Sequence, residues 1–123
     1  MASDIVIEGI EKVIERDLGK HKLLLEQTKT ELEAYRLARS HEIKRKKHFR
    51  KLIGGGKYDD IALRKAMGDI ATNIQHLSDK ADLAEEKIKH HELIVDTLSS
   101  QLADQNLALA DLARHRREHG TRH

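Results

Sequence analysis

The chain carries nine histidines, and their spacing raises the question of metal binding first. His115 and His119 stand four apart on one helical face with Glu118 beside them. His90, His91 and Glu92 form a second cluster, and His41 and His48 lie seven apart. A zinc site needs three or four converging ligands. The helical zinc pattern His-Glu-x-x-His is absent, because Glu118 directly precedes His119 and His115 lies three positions earlier. Most of these histidines read as solvated residues on exposed helix faces. No metal or other cofactor is expected.

Nucleophilic and acid–base chemistry find still less support. Ser99 and Ser100 follow Leu98, but His91 is two helical turns away, and a base must come within roughly 3 Å of the proton it removes. The carboxylates fall on solvated helical faces, where little shifts their titration. No catalytic residue is assigned, and a non-enzymatic protein is expected.

The stretch HEIKRKKHFRKLIGGGKYDD, residues 41–60, is the strongest polar feature. Between Arg36 and Lys65 eleven lysines and arginines face only Glu42, Asp59 and Asp60, a net of +8 in a chain whose total is +2. Lys44, Arg45, Lys46, Lys47, Arg50 and Lys51 crowd the approach to three glycines, and Lys57, Arg64 and Lys65 extend the field beyond them. Amides of a glycine turn can form an anion nest, and a helix start offers unpaired N–H groups. The order Gly-Gly-Gly-Lys-Tyr-Asp-Asp is nevertheless not a phosphate loop. It has no hydroxyl after the lysine to hold magnesium, and Asp59 and Asp60 compete for the same amides. Two uses remain for the nine cations: contact with an acidic protein, or binding of nucleic acid or another polyanion with Phe49 and Tyr58 available for stacking.

These groups must be held by some scaffold, and the composition points to long helices. Charged residues make up 36% of the chain, against about 25% in ordinary globular proteins. Proline, tryptophan and cysteine are absent, and Tyr35, Phe49 and Tyr58 are the aromatics. Without cysteine there are no disulfides or thiolate sites. No apolar run approaches the roughly 18 residues that span a bilayer, so membrane insertion is not expected. MASDIVIEGIEK lacks the basic start and clean hydrophobic run of a signal peptide, and a cytoplasmic location is the default.

Alternating steps of four and three from Leu63 trace Leu63, Met67, Ile70, Ile74, Leu77, Ala81, Ala84, Ile88, His91, Val95, Leu98, Leu102, Gln105, Leu109 and Leu112. Thirteen of the fifteen are apolar, which is the stripe that lets helices pack knobs into holes. The spacing predicts a helix over about 59–119. Asp59 or Asp60 would cap its start, and Arg114 to Gly120 supply a cationic, glycine-terminated end.

The first half is less regular. Ile7, Ile10, Ile14, Leu18, Leu25, Leu32, Tyr35, Ile43, Leu52 and Ile53 suggest an apolar face, interrupted by polar His21, Thr28, Arg39 and Glu42. A helix over about 4–53 is expected, capped by Ser3 or Asp4. Gly9 and Gly19 each cost about 1 kcal/mol relative to alanine and leave room for a break near 18–20, though nothing there resembles a linker. A turn over 54–58 then joins the two helices within one helical domain, 1–123. Centring that turn near residue 56 sets Phe49 opposite Leu63, Tyr35 opposite Leu77 and His21 opposite His91.

The fold class expected is all-α, a long antiparallel hairpin of coiled-coil type. Val13, Leu23, Leu24, Leu37, Ala38, Leu83, Leu93, Ile94, Leu107 and Ala110 lie off the main stripes, and one hairpin cannot cover them all. A homo-oligomer, such as a four-helix bundle, or docking into a larger assembly would do so. Ile70, Ile74, Leu77, Ile88, His91, Val95, Leu98, Leu102 and Leu109 are the residues assigned to oligomerisation. The expected function is protein–protein interaction, scaffolding or assembly, with nucleic-acid binding by the 44–65 basic tip as the alternative.

Overall fold

The computed structural model describes residues 2–119, with side chains from 5 to 118. Two helices account for nearly all of it: α1, Ala2–Leu52, and α2, Asp60–His119. They form an antiparallel hairpin, and no strand occurs among the described residues. Cross-helix contacts show the sense directly. Arg36 reaches Glu85, Arg39 reaches Ser78 and Glu42 meets Asn73, so the partner number falls as the α1 number rises.

The α2 stripe is the seam. All fifteen positions from Leu63 to Leu112 are buried or half-buried, Gln105 included. On α1 the observed seam differs from its apolar reading. The residues at the inward positions are Ile7, Glu11, Ile14, Leu18, His21, Leu25, Thr28, Leu32, Tyr35, Arg39, Glu42, Lys46, Phe49 and Ile53, again in steps of four and three, and all are buried or half-buried. Ile10 and Ile43 fall off this series and are exposed, while the polar residues read as interruptions lie on it. The 4-3 spacing dictates which side chains face the neighbour, whatever their polarity.

The chain divides into two compact units. The first comprises residues 1–26 and 89–123. It buries Ile14, Leu18 and Leu25, with Val95, Leu98, Leu102 and Leu109 half-buried along α2. Its polar layer is His21 against His91, with the two Nδ1 atoms 3.1 Å apart and ring centroids separated by 5.4 Å, the pair that the turn position anticipated. The second unit, residues 27–88, buries Leu32, Ala81 and Ala84 as a cluster against which Tyr35 and Ile88 pack. Leu63, Ile70 and Thr28 are also buried there. Alanines at positions 81 and 84 let the helix backbones come close, and larger Leu32 and Tyr35 fill the space they leave. The ammonium of Lys80 lies 5.9 Å from the Tyr35 ring centroid, a cation–π contact across the hairpin.

Both helices run unbroken, and Gly9 and Gly19 lie inside α1. Helix α1 begins at Ala2, ahead of the cap expected at Ser3 or Asp4, whose side chains lie outside those described. The Gly120 stop likewise lies outside the described residues.

Residues 53–59 make the turn. Gly54 and Gly56 adopt φ of 82° and 74°, the left-handed region in which a β-carbon is penalised. The Gly55 amide donates to the Leu52 carbonyl at 3.3 Å, closing the end of α1. Asp59 is the N-cap of α2: its carboxylate accepts from the Ile61 amide at 3.2 Å and its carbonyl from Leu63 at 3.0 Å. That capping role is why α2 starts at Asp60.

Two glycines should therefore respond oppositely to alanine. Neither Gly19 nor Gly56 has an atom within 4 Å of where a β-carbon would sit, so only backbone conformation separates them. Gly19→Ala should raise unfolding free energy by about 0.5–1 kcal/mol, because alanine favours a helix interior. Gly56→Ala should lower it by about 1–2 kcal/mol, the cost of left-handed backbone for an L-residue. Urea unfolding followed by far-ultraviolet circular dichroism measures both.

Candidate interaction surface at the hairpin tip

The nine cations all belong to the unit that contains the turn, but they are not equivalent. Lys44, Arg45, Lys47, Arg50, Lys51, Lys57, Arg64 and Lys65 are exposed. Lys46 lies on the α1 seam and is half-buried, so its stem serves packing as well as charge. Arg45 forms an ion pair with Glu42 at 2.7 Å, one helical turn before it. Among the described residues no other member of the nine is in an ion pair with a carboxylate. The patch therefore keeps most of its field for solvent or for a partner.

Glu42 is the one carboxylate here whose titration is clearly displaced. The hydrogen bond from Arg45 holds it below the ordinary glutamate range, helped by Asn73 Nδ2 at 3.5 Å and by the charges of Arg45 and His41, while packing at the seam opposes the shift. A carboxylate held ionised in this way makes a poor proton donor. It lines an open depression of about 480 Å³ together with Ala38, His41, Asn73, His76, Leu77 and Lys80. Among the described residues no group of three or more histidine, aspartate or glutamate side chains is placed to hold a metal ion.

The glycine turn does not present an open anion nest. The Gly54 amide donates to Asp60 Oδ1 at 3.1 Å, and the Ile61 amide is taken by Asp59. The competition anticipated from sequence is visible inside the chain: the two aspartates take one amide of the turn and one of the α2 start, where an external phosphate would otherwise bind.

Beside the turn lies a notch of about 290 Å³ lined by His48, Phe49, Leu52, Tyr58 and Leu63. Phe49 and Leu63 share it, consistent with their being set opposite each other. Phe49 is half-buried and meets His48 edge-on, with centroids 6.3 Å apart and planes at 69°. Tyr58 is 49% exposed, and Lys57 Nζ lies 5.5 Å from its ring centroid. The notch as a unit was not legible from the residues, since its walls come from both helix ends and the turn. The position of Tyr58, two residues beyond the glycines, was the available hint.

The residues assigned to oligomerisation lie on the inward stripe of α2. Ile70 is buried, and Ile74, Leu77, Ile88, His91, Val95, Leu98, Leu102 and Leu109 are half-buried. Ile88 packs against the Leu32–Ala81–Ala84 cluster, and His91 faces His21. Surface left for another chain must come mainly from elsewhere. Ser99 and Ser100 are exposed and fall off the seam.

No protein-family model, curated protein or solved structure matches the chain.

The state of Glu42 gives a direct test of the tip's electrostatics. Its folded-state titration lies below the reference value of 4.5, so its contribution to stability is present above that pH. The contribution is lost as pH falls through the lower folded-state value. A carboxyl-carbon NMR titration should show Glu42 with a midpoint below the reference value of 4.5, and Arg45→Met should move it upward. An unchanged midpoint in Arg45→Met would remove Arg45 as the cause.

Proposed function

We propose that this protein is a non-enzymatic interaction and assembly protein, a helical hairpin that self-associates and offers its basic tip to a protein partner. One observation carries the self-association: four leucines stand at the positions furthest from the seam. Leu23 and Leu37, two heptads apart on α1, are 61% and 75% exposed; Leu93 and Leu107, also two heptads apart on α2, are 66% and 64% exposed. On a hairpin that stayed alone these would be the most solvated sites, the places where charged residues cost least. Isolated exposed leucines are ordinary, but their repetition at the outward heptad position gives each helix an apolar edge directed away from the other. A second copy can set its own leucine edge against either of them in a symmetric pair.

The eight exposed cations favour a second reading, in which the tip holds nucleic acid or another polyanion. Both readings need a soluble, folded hairpin, and no helix among the described residues is long and apolar enough to cross a membrane.

Sedimentation equilibrium of the full chain distinguishes self-association from a solitary hairpin. The wild type should sediment above the monomer mass. The double variant Leu23→Gln, Leu93→Gln should weaken association by about tenfold or more while keeping its helical circular dichroism, since each buried leucine contributes about 1.5–3 kcal/mol. A monomeric wild type across the accessible concentration range would overturn the self-association reading.

A further inference from the structure

The notch beside the turn combines two features that seldom coincide by accident. Its five lining residues include no carboxylate. Each of them is also the sequence neighbour of an exposed cation: Lys47 precedes His48, Arg50 follows Phe49, Lys51 precedes Leu52, Lys57 precedes Tyr58 and Arg64 follows Leu63. The recess is small and largely apolar, the Lys57 ammonium lies over its Tyr58 wall, and it sits within the segment of net +8, with Asp59 as the one acidic neighbour of its lining. We propose that this notch seats one bulky apolar side chain carried on an acidic segment of a partner protein. The proposal rests on the reading of the tip as a protein-contact surface and specifies what that surface recognises.

Three observations favour such a segment over a nucleic-acid strand. Two of the three glycine amides are already engaged, Gly54 by Asp60 and Gly55 by the Leu52 carbonyl, and Asp59 takes the Ile61 amide at the start of α2. The stacking platforms are also compromised. The Tyr58 ring carries the Lys57 ammonium, and Phe49 is half-buried with His48 set edge-on to it. A base needs an open aromatic face, whereas an aliphatic or aromatic side chain needs only a recess with Leu52 and Leu63 in its wall. Finally, the other cations of the tip are exposed lysines and arginines on long flexible stems. They can meet carboxylates at varied positions on an extended segment while its apolar residue supplies the anchor, the division between central anchor and charged rim common at protein interfaces.

The volume agrees with a single anchor. A recess of about 290 Å³ lies just below the roughly 300–1,000 Å³ of small-molecule sites and suits one large side chain. Charge complementarity would speed the encounter and make it sensitive to salt, and the notch would supply the discrimination between acidic segments.

The test uses the full-length protein and three fluorescein-labelled probes of equal charge, read by anisotropy. One is a peptide of alternating glutamate and glycine with a single central tryptophan, the second replaces that tryptophan by serine, and the third is a thymidine oligonucleotide. The tryptophan peptide should bind about tenfold or more tightly than the serine peptide, the factor expected from burying most of one aromatic side chain. It should also bind more tightly than the oligonucleotide. Tyr58→Ser should erase the difference between the peptides, with circular dichroism confirming that the helices persist. Lys47→Gln with Arg50→Gln and Lys51→Gln should weaken all three probes. Equal binding of the two peptides would overturn the anchor while leaving the tip as a charged contact surface. Tighter binding of the oligonucleotide would overturn the anchor in favour of the polyanion reading. If no probe binds, or if the charge variants change nothing, both the anchor and the contact role of the tip fall.

Discussion

A helix packed against a single neighbour can hide only one stripe of its surface, and that constraint governs everything else in this hairpin. The inward positions recur in steps of four and three, and three or four of every seven residues on each helix have no neighbour to meet. The core is accordingly thin. Ile70, Ala81 and Ala84 are the most deeply buried of its members, each 3% exposed, and among the described residues no large side chain is completely enclosed. Small residues matter as much as large ones here, because Ala81 and Ala84 set how near α1 can come. High charge content follows from the same constraint, since most of the surface must be solvated.

A narrow seam built only of aliphatic residues would also be ambiguous. Sliding one helix by a heptad restores similar apolar contacts, so hydrophobic burial alone selects the register weakly. Polar seam residues break that degeneracy, because a slide strands them without partners. In the first unit the selection falls to His21 and His91. In the second it falls to Arg39 with Ser78 and Glu42 with Asn73, flanked by the exposed Arg36–Glu85 ion pair at 2.7 Å. The exposed ion pair contributes little free energy, on the order of 0–1 kcal/mol, yet it still penalises the wrong register. His21, His91, Arg39 and Glu42 occupy seam positions where leucine would bury more area. Their presence is consistent with a seam tuned for uniqueness as well as for stability.

This division explains what could be read from the residues beforehand. Helix α2 was legible because thirteen of its fifteen seam positions are apolar, so hydrophobicity and geometry give the same answer. On α1 the two diverge. Glu11, His21, Thr28, Arg39, Glu42 and Lys46 are six of its fourteen seam residues, and a search for apolar periodicity passes over them and settles on exposed Ile10 and Ile43. The spacing itself was the better guide: the 4-3 rule run from Ile14 through Leu18, Leu25 and Leu32 generates the polar members. Positions fixed by covalent distance to the turn, such as His21 opposite His91, were also accessible. The notch was not, because a recess depends on how side chains from three segments leave space between them.

The tip shows how one short segment can satisfy the turn and still carry a surface. Reversing the chain requires left-handed glycines and caps for two helix ends, and Asp59 and Asp60 provide acceptors for amides that the reversal exposes. Their two negative charges are balanced in part by the positive start of α2, which removes an electrostatic reason for so many nearby cations. Lysine and arginine near the C-terminus of α1 do favour its negative end, but that effect fades within the last turn and reaches Arg50 and Lys51, not Lys44 or Lys47. Nor does it account for Arg64 and Lys65, which lie beyond the first turn of α2 and past the reach of its dipole. Cations largely without internal carboxylate partners raise the energy of the tip by mutual repulsion. An acidic surface brought to the tip would relieve that repulsion, so the same charges that burden the free hairpin favour its association.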